Sequence, residues 1–120
     1  MPAVLIVENE IILALDLADT LSAMGYDVFG PATTADDACR MARDTQPDVV
    51  LMDISLNGTR DGIAAAEEII AEQGSKVIFL SSEDDIRVRQ RAAAVHAFGW
   101  LDKPCAPSHI RKTIERACLA

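Results

Sequence analysis

Short unbroken apolar runs alternate along this chain with stretches in which apolar residues return every three or four positions. Ala3–Val7, Val49–Met52 and Val77–Leu80 are continuous apolar runs bounded by polar residues, too short for stable helices, and they read as strands covered on both faces. Between the first two lies a helical pattern with apolar residues at Ile11, Ile12, Leu15, Ala18, Leu21 and Met24, stopped by Gly25. Asp27–Gly30 reads as a short second strand, which Pro31 bars from running straight into a helix. Thr34 is placed to cap the next helix, with Asp36 and Asp37 in its favourable first turn, and Pro47 ends that unit.

Asp53 closes the Val49–Met52 run, and a polar, flexible loop through Ser55, Asn57, Gly58, Thr59 and Arg60 leads to Asp61, which caps a third helix ending near Gly74. Lys76–Ser81 is the fourth strand, 84–95 the fourth helix and Phe98–Leu101 the fifth strand; a last helix starts near Pro107-Ser108. Five strand–helix units of this length predict an α/β fold. The expected form is a doubly wound five-stranded parallel sheet in the flavodoxin-like order 2-1-3-4-5, with helices on both faces. Residues 1–120 are expected to form one domain with no output domain attached, since there is no repeat, low-complexity stretch or linker.

Charge and cysteine content narrow the function. The net charge of −8 argues against general nucleic-acid binding, and no apolar run is long enough to span a membrane. Acids concentrate in residues 1–83, where they number 15 against 4 bases, whereas residues 84–120 hold 4 acids and 7 bases. That basic excess is either a solvated helix face or a surface for docking a partner. The start lacks the features of a signal peptide, and Cys39, Cys105 and Cys118 fit neither a disulfide framework nor a zinc pattern. Reduced thiols and a cytoplasmic location are therefore expected. His96 and His109 have no ligand-like companions in the sequence.

In the order 2-1-3-4-5, Glu8 and Asn9 after the first strand meet Asp53 after the third at the switch point, and right-handed crossovers bring Ser81 and Lys103 to the same rim. Carboxylates gathered there are a natural site for Mg²⁺, which takes oxygen ligands and keeps several waters. An Asp carboxylate can also accept a phosphoryl group, provided positive charge meets the phosphoryl oxygens. Lys103 can give that charge, Ser81 can donate a hydrogen bond, and Pro104 after the lysine suits a cis peptide bond.

Five segments in order, "VENE", "PDVVLMD", "DG", "VIFLSS" and "LDKP", resemble the receiver domain of bacterial two-component response regulators over the whole chain. The resemblance implies that Asp53 takes phosphate from a histidine kinase or phosphotransfer protein. It implies that Glu8, Asn9, Asp53 and the Ser55 backbone carbonyl hold Mg²⁺ or Mn²⁺, and that Lys103 and Ser81 complete the site. Ser81 and Trp100 stand at the switch positions, while Ser55 and Glu83 occupy positions that tune dephosphorylation. Trp100 reads equally as core packing. The signal would leave through the face of the fourth helix, fifth strand and fifth helix, where Arg87, Arg91, Arg111, Lys112 and Trp100 are expected to cluster for an unknown downstream protein. A monomer or a phosphorylation-dependent dimer is expected.

Several positions depart from the family pattern. Asn9 stands where a second Asp is usual, which removes a negative charge and predicts weaker metal binding. The loop from Ile54 to Gly62 is one residue longer than the common form, with Asn57 where Pro is frequent. Cys105 replaces an aromatic residue, and Trp100 is bulkier than the usual Tyr or Phe. Asn9 favours an alternative, a degenerate receiver that docks partners without phosphorylation. An enzymatic reading, a phosphohydrolase with an aspartyl nucleophile, lacks the second acid two residues after Asp53, where Ser55 stands. The chain is therefore read as a non-enzymatic module.

Overall fold

The computed structural model describes residues 1–82 and 84–120. Strands and helices alternate strictly: β1 (Ala3–Val7), α1 (Ile11–Ala23), β2 (Asp27–Ala32), α2 (Ala35–Thr45), β3 (Val49–Asp53), α3 (Gly62–Gln73), β4 (Lys76–Ser81), α4 (Ile86–Ala94), β5 (Gly99–Asp102) and α5 (Pro107–Leu119). The strands form one parallel sheet in the order β2-β1-β3-β4-β5. This is the doubly wound α/β fold that the alternation of periods predicts.

Helices α1 and α5 pack on one face of the sheet, where Val4, Ile6, Leu51, Ile78, Leu21 and Ile114 form a dry cluster. Helices α2, α3 and α4 pack on the other, over Leu5, Val7, Val50, Met52, Phe79 and Ile69. Side chains alternate between the faces along each strand, so Val49–Met52 must be apolar at every position, and all four are fully buried. Burying a Leu or Ile side chain contributes about 1.5–3 kcal/mol, so the three central strands supply much of the fold's stability.

The apolar face predicted for α1 differs from the buried one. Ala14, Leu17 and Leu21 face the sheet, whereas Ile11, Ile12 and Leu15 are 52%, 83% and 52% exposed. Nearly every residue from Ile11 to Leu17 is apolar, so the spacing does not single out one stripe; tertiary packing chooses it. Other boundaries shift for local reasons. Strand β2 runs through Pro31 to Ala32, which an edge position allows because a strand there has an unpaired side for the missing N–H. Helix α4 starts later than expected, at Ile86, because Asp85 caps it by accepting a hydrogen bond from the Arg87 N–H. Thr34 and Asp61 cap α2 and α3 through the N–H groups of Asp37 and Ala64. All three cysteines are free thiols, and no helix of the described residues is long and apolar enough to cross a membrane.

Candidate functional site

The carboxyl ends of β1, β3, β4 and β5 converge on a small polar cluster. Glu8 follows β1 directly and is buried at 1% exposure, Asp53 ends β3 at 4%, and Ser81 ends β4 at 2%. Lys103 follows β5, and the backbone N–H of Lys103 donates to the Ser81 carbonyl, which joins the two strand ends. The Lys103 ammonium lies 2.7 Å from Glu8 Oε2 and 3.5 Å from Asp53 Oδ1. The Lys103–Pro104 peptide bond is cis.

Asp53 is held by its own loop as well. The Ser55 N–H donates to Asp53 Oδ1 at 3.1 Å. Burial and the neighbouring Glu8 charge raise the Asp53 pKa to about 6, against the opposing pull of Lys103 and the Ser55 N–H. Two buried carboxylates thus face one ammonium. Behind it, Gly62 opens α3 directly against the Asp53 backbone: its N–H donates to the Ile54 carbonyl at 2.8 Å, and a Cβ there would collide with the Asp53 carbonyl. The "DG" pair therefore has two jobs, an Asp that caps the helix and a Gly that lets it approach the site.

The donor set suits a hard cation. Two carboxylates, an amide at half-buried Asn9 and the Ser55 carbonyl are oxygen donors of the kind Mg²⁺ accepts alongside water. Among the described residues no three His, Cys, Asp or Glu side chains converge as a metal cage. The residues present fit Mg²⁺ or Mn²⁺, which needs only one or two carboxylates. Glu10 is exposed, and its N–H donates to Glu8 Oε1 at 3.2 Å.

Among the residues singled out from sequence, Glu8, Asp53, Ser81 and Lys103 come together at this rim, with Asn9 and exposed Ser55 at its edge. Glu83 lies outside the described residues. Trp100 is set apart on β5, half-buried, with its ring 6.1 Å from that of Phe79. The loop after Asp53, which reads as flexible, is tied at several points. Asn57 bridges to Thr34, and Arg60 pairs with Asp36 and Glu68, each at 3.1 Å.

Three of the basic residues expected to cluster on α4 and α5 are engaged in ion pairs at the surface. Arg87 pairs with Asp85, Arg91 with Asp61 and Arg111 with Glu115, because each long side chain finds a carboxylate within reach. Arg89 and Asp102 drew no attention in the sequence, where a lone Arg and a lone Asp carry no pattern, yet both meet Trp100. Exposed Ile11 and Ile12 also escaped notice as surface residues; the Asp16 and Asp19 that continue the stripe of Ile12 were the available signal. Beside the cluster, a cavity of about 510 Å³ is lined by Glu8, Leu13, Leu17, Lys103, Pro104 and Ile110.

Comparison with known proteins agrees with this architecture. Residues 4–115 match the response regulator receiver domain family. The transcriptional regulatory protein PdtaR of Mycobacterium tuberculosis is 34% identical over 114 residues, covering 95% of this chain and 55% of that protein. The chain thus spans about half of that relative's length. The chemotaxis protein CheY of Thermotoga maritima is 29% identical, with 94% of each chain covered. Among solved structures, the signal receiver domain of a modulated diguanylate cyclase from Desulfovibrio desulfuricans superposes with a TM-score of 0.95 at 39% identity, covering 99% of this chain and 94% of that one. From its strand order, its rim of strand-end residues and these likenesses, the chain belongs to the response regulator receiver domain family.

Proposed function

We propose that Asp53 is the phosphoacceptor of a two-component system, taking its phosphoryl group from a histidine kinase or phosphotransfer protein. Receiver domains are in general signalling modules, and residues 1–120 act here as one such unit. The observation that carries the reading is the setting of Asp53: a buried carboxylate with one oxygen held by the Ser55 N–H and the Lys103 ammonium 3.5 Å away. With a pKa of about 6, Asp53 is mostly ionised at neutral pH and can act as a nucleophile.

In the transfer, a carboxylate oxygen of Asp53 forms a bond to phosphorus as the phosphorus–nitrogen bond of the donor breaks. The imidazole nitrogen leaves with the bonding pair and is protonated from solvent. Lys103 stabilises negative charge on the phosphoryl oxygens, and the Ser81 hydroxyl is at the adjacent strand end to donate a hydrogen bond. Glu8, Asp53, the Asn9 amide and the Ser55 carbonyl would hold Mg²⁺ or Mn²⁺, which when bound neutralises charge on the transferring group. Ile11 and Ile12, exposed in the first turn of α1 next to Asn9, supply an apolar surface for docking the donor protein. The output is read at the α4–β5–α5 face, through Ser81 and Trp100. Asn9 supports a second reading, a docking module that is not phosphorylated efficiently.

One experiment separates the two. The protein and its Asp53→Ala variant are incubated with a small acyl phosphate and Mg²⁺, then weighed intact. A single phosphoryl adduct confined to the parent is expected. Its absence across a range of Mg²⁺ concentrations refutes the phosphoacceptor reading in favour of the docking module. Steady hydrolysis of ordinary phosphate esters would instead point to an enzyme.

A further inference from the structure

Trp100 is held by a clasp of two charged residues. Its indole Nε1–H donates to Asp102 Oδ1 at 2.9 Å, and the Arg89 guanidinium donates to the same oxygen at 2.8 Å. The guanidinium also lies over the indole ring, 4.3 Å from its centroid. Arg89 comes from the second turn of α4 and Asp102 from the end of β5, so the clasp ties the helix to the strand across the indole. On the inner side the ring meets the edge of Phe79. Next to it a groove of about 410 Å³ is lined by Phe79, Val95 and the small residues Ala92, Ala93, Ala97 and Gly99, space into which the indole can move.

The clasp also touches the candidate site through the backbone. Asp102 is the register partner of Ser81 across the β4–β5 ladder and immediately precedes Lys103. A shift of the β4 end or of the start of α4 therefore changes the distance between Arg89 and Asp102.

We propose that Arg89 is a positioning residue: with Asp102 it clasps Trp100 in a resting position, and phosphorylation must open this clasp to move the indole and α4. The proposal rests on the phosphoacceptor reading for its second half, while the clasp itself belongs to the unphosphorylated protein. Both contacts are exposed, so each is weak, and losing Arg89 shifts the balance between clasped and open Trp100 by about three- to tenfold. The open form is the one that accepts phosphate, so the same factor reaches the rate of adduct formation.

Trp100 is the only Trp in the chain, so its fluorescence reports the clasp directly. Acrylamide quenching is measured without phosphodonor in the parent, Arg89→Ala, Arg89→Lys and Asp102→Asn. Uncovering one of the two ring faces raises the quenching constant of R89A about twofold. R89K keeps the charge without the planar stack and falls between R89A and the parent. D102N keeps an acceptor for the indole N–H but loses the ion pair, and moves in the same direction as R89A. Far-UV circular dichroism checks that each variant is folded. With a small acyl phosphate and Mg²⁺, R89A is then expected to form its adduct about three- to tenfold faster than the parent.

Equal quenching in R89A, D102N and the parent overturns the clasp. Raised quenching with an unchanged adduct rate overturns its role in phosphorylation. No adduct in the parent refutes the phosphoacceptor reading instead, and the clasp is still judged by quenching alone.

Discussion

Replacing Asp53 by Asn should make the metal-free protein more stable at alkaline pH and leave it unchanged at acid pH. The reason is the burial of the Asp53 carboxylate and, after it, the neighbouring charge of Glu8, which the single ammonium of Lys103 only partly offsets. The folded-state pKa of Asp53 is about 6, above its ordinary value of 3.8. Its protonated form is therefore favoured by folding. The stabilisation is fully present below about pH 4 and lost as pH rises through about 6, so at pH 8 the parent carries the whole penalty. Raising this carboxyl from 3.8 to about 6 corresponds to about 3 kcal/mol. Asn removes the charge but keeps an oxygen to accept the Ser55 N–H, and leaves Lys103 paired with Glu8. The gain expected at pH 8 is about 2–3 kcal/mol, or roughly 8–12 °C in Tm for a domain of this size. Thermal and urea denaturation from pH 4 to pH 8, without divalent cations, measure it. A gap of the same size at both ends would mean that amide packing and not charge is responsible. No gap at pH 8 would refute the electrostatic account of the site.

Three further outcomes follow from the same geometry. Asn9→Asp should raise Mg²⁺ affinity roughly tenfold by restoring a carboxylate, read as a larger rise of Tm on Mg²⁺ titration; identical titration curves would exclude Asn9 as the weak point. Gly62→Ala should destabilise by about 3 kcal/mol or more and reduce adduct formation, because its Cβ strikes the Asp53 carbonyl. Gly58→Ala, in open space at φ +100°, should cost only about 1 kcal/mol in the same urea titration. Asp61→Ala should cost about 1–2 kcal/mol, since Asp61 both caps α3 and pairs with Arg91; Arg91→Ala, which spares the cap, should cost less than half of that.

The alternation of apolar period along the chain determined the α/β class, because strands buried on both faces need unbroken runs such as Val49–Met52 and helices need a returning stripe. The chain order of Glu8, Asp53, Ser81 and Lys103 did the same for the rim, since parallel strands with right-handed crossovers bring their carboxyl ends to one edge. Local chemistry determined the caps: Thr34 and Asp61 act through neighbours three residues away, within reach of any sequence reading. Only tertiary structure decided which stripe of α1 is buried, because almost every position from Ile11 to Leu17 was apolar and the sheet had to choose. It alone decided that Arg89 and Arg91 of α4 are paired, since the carboxylates of Asp102 and Asp61 come from distant segments and a charge in sequence carries no partner with it. Arg89 meets Trp100 for the same reason: a contact across 11 residues between a helix and a strand depends on their packing and leaves no period to read.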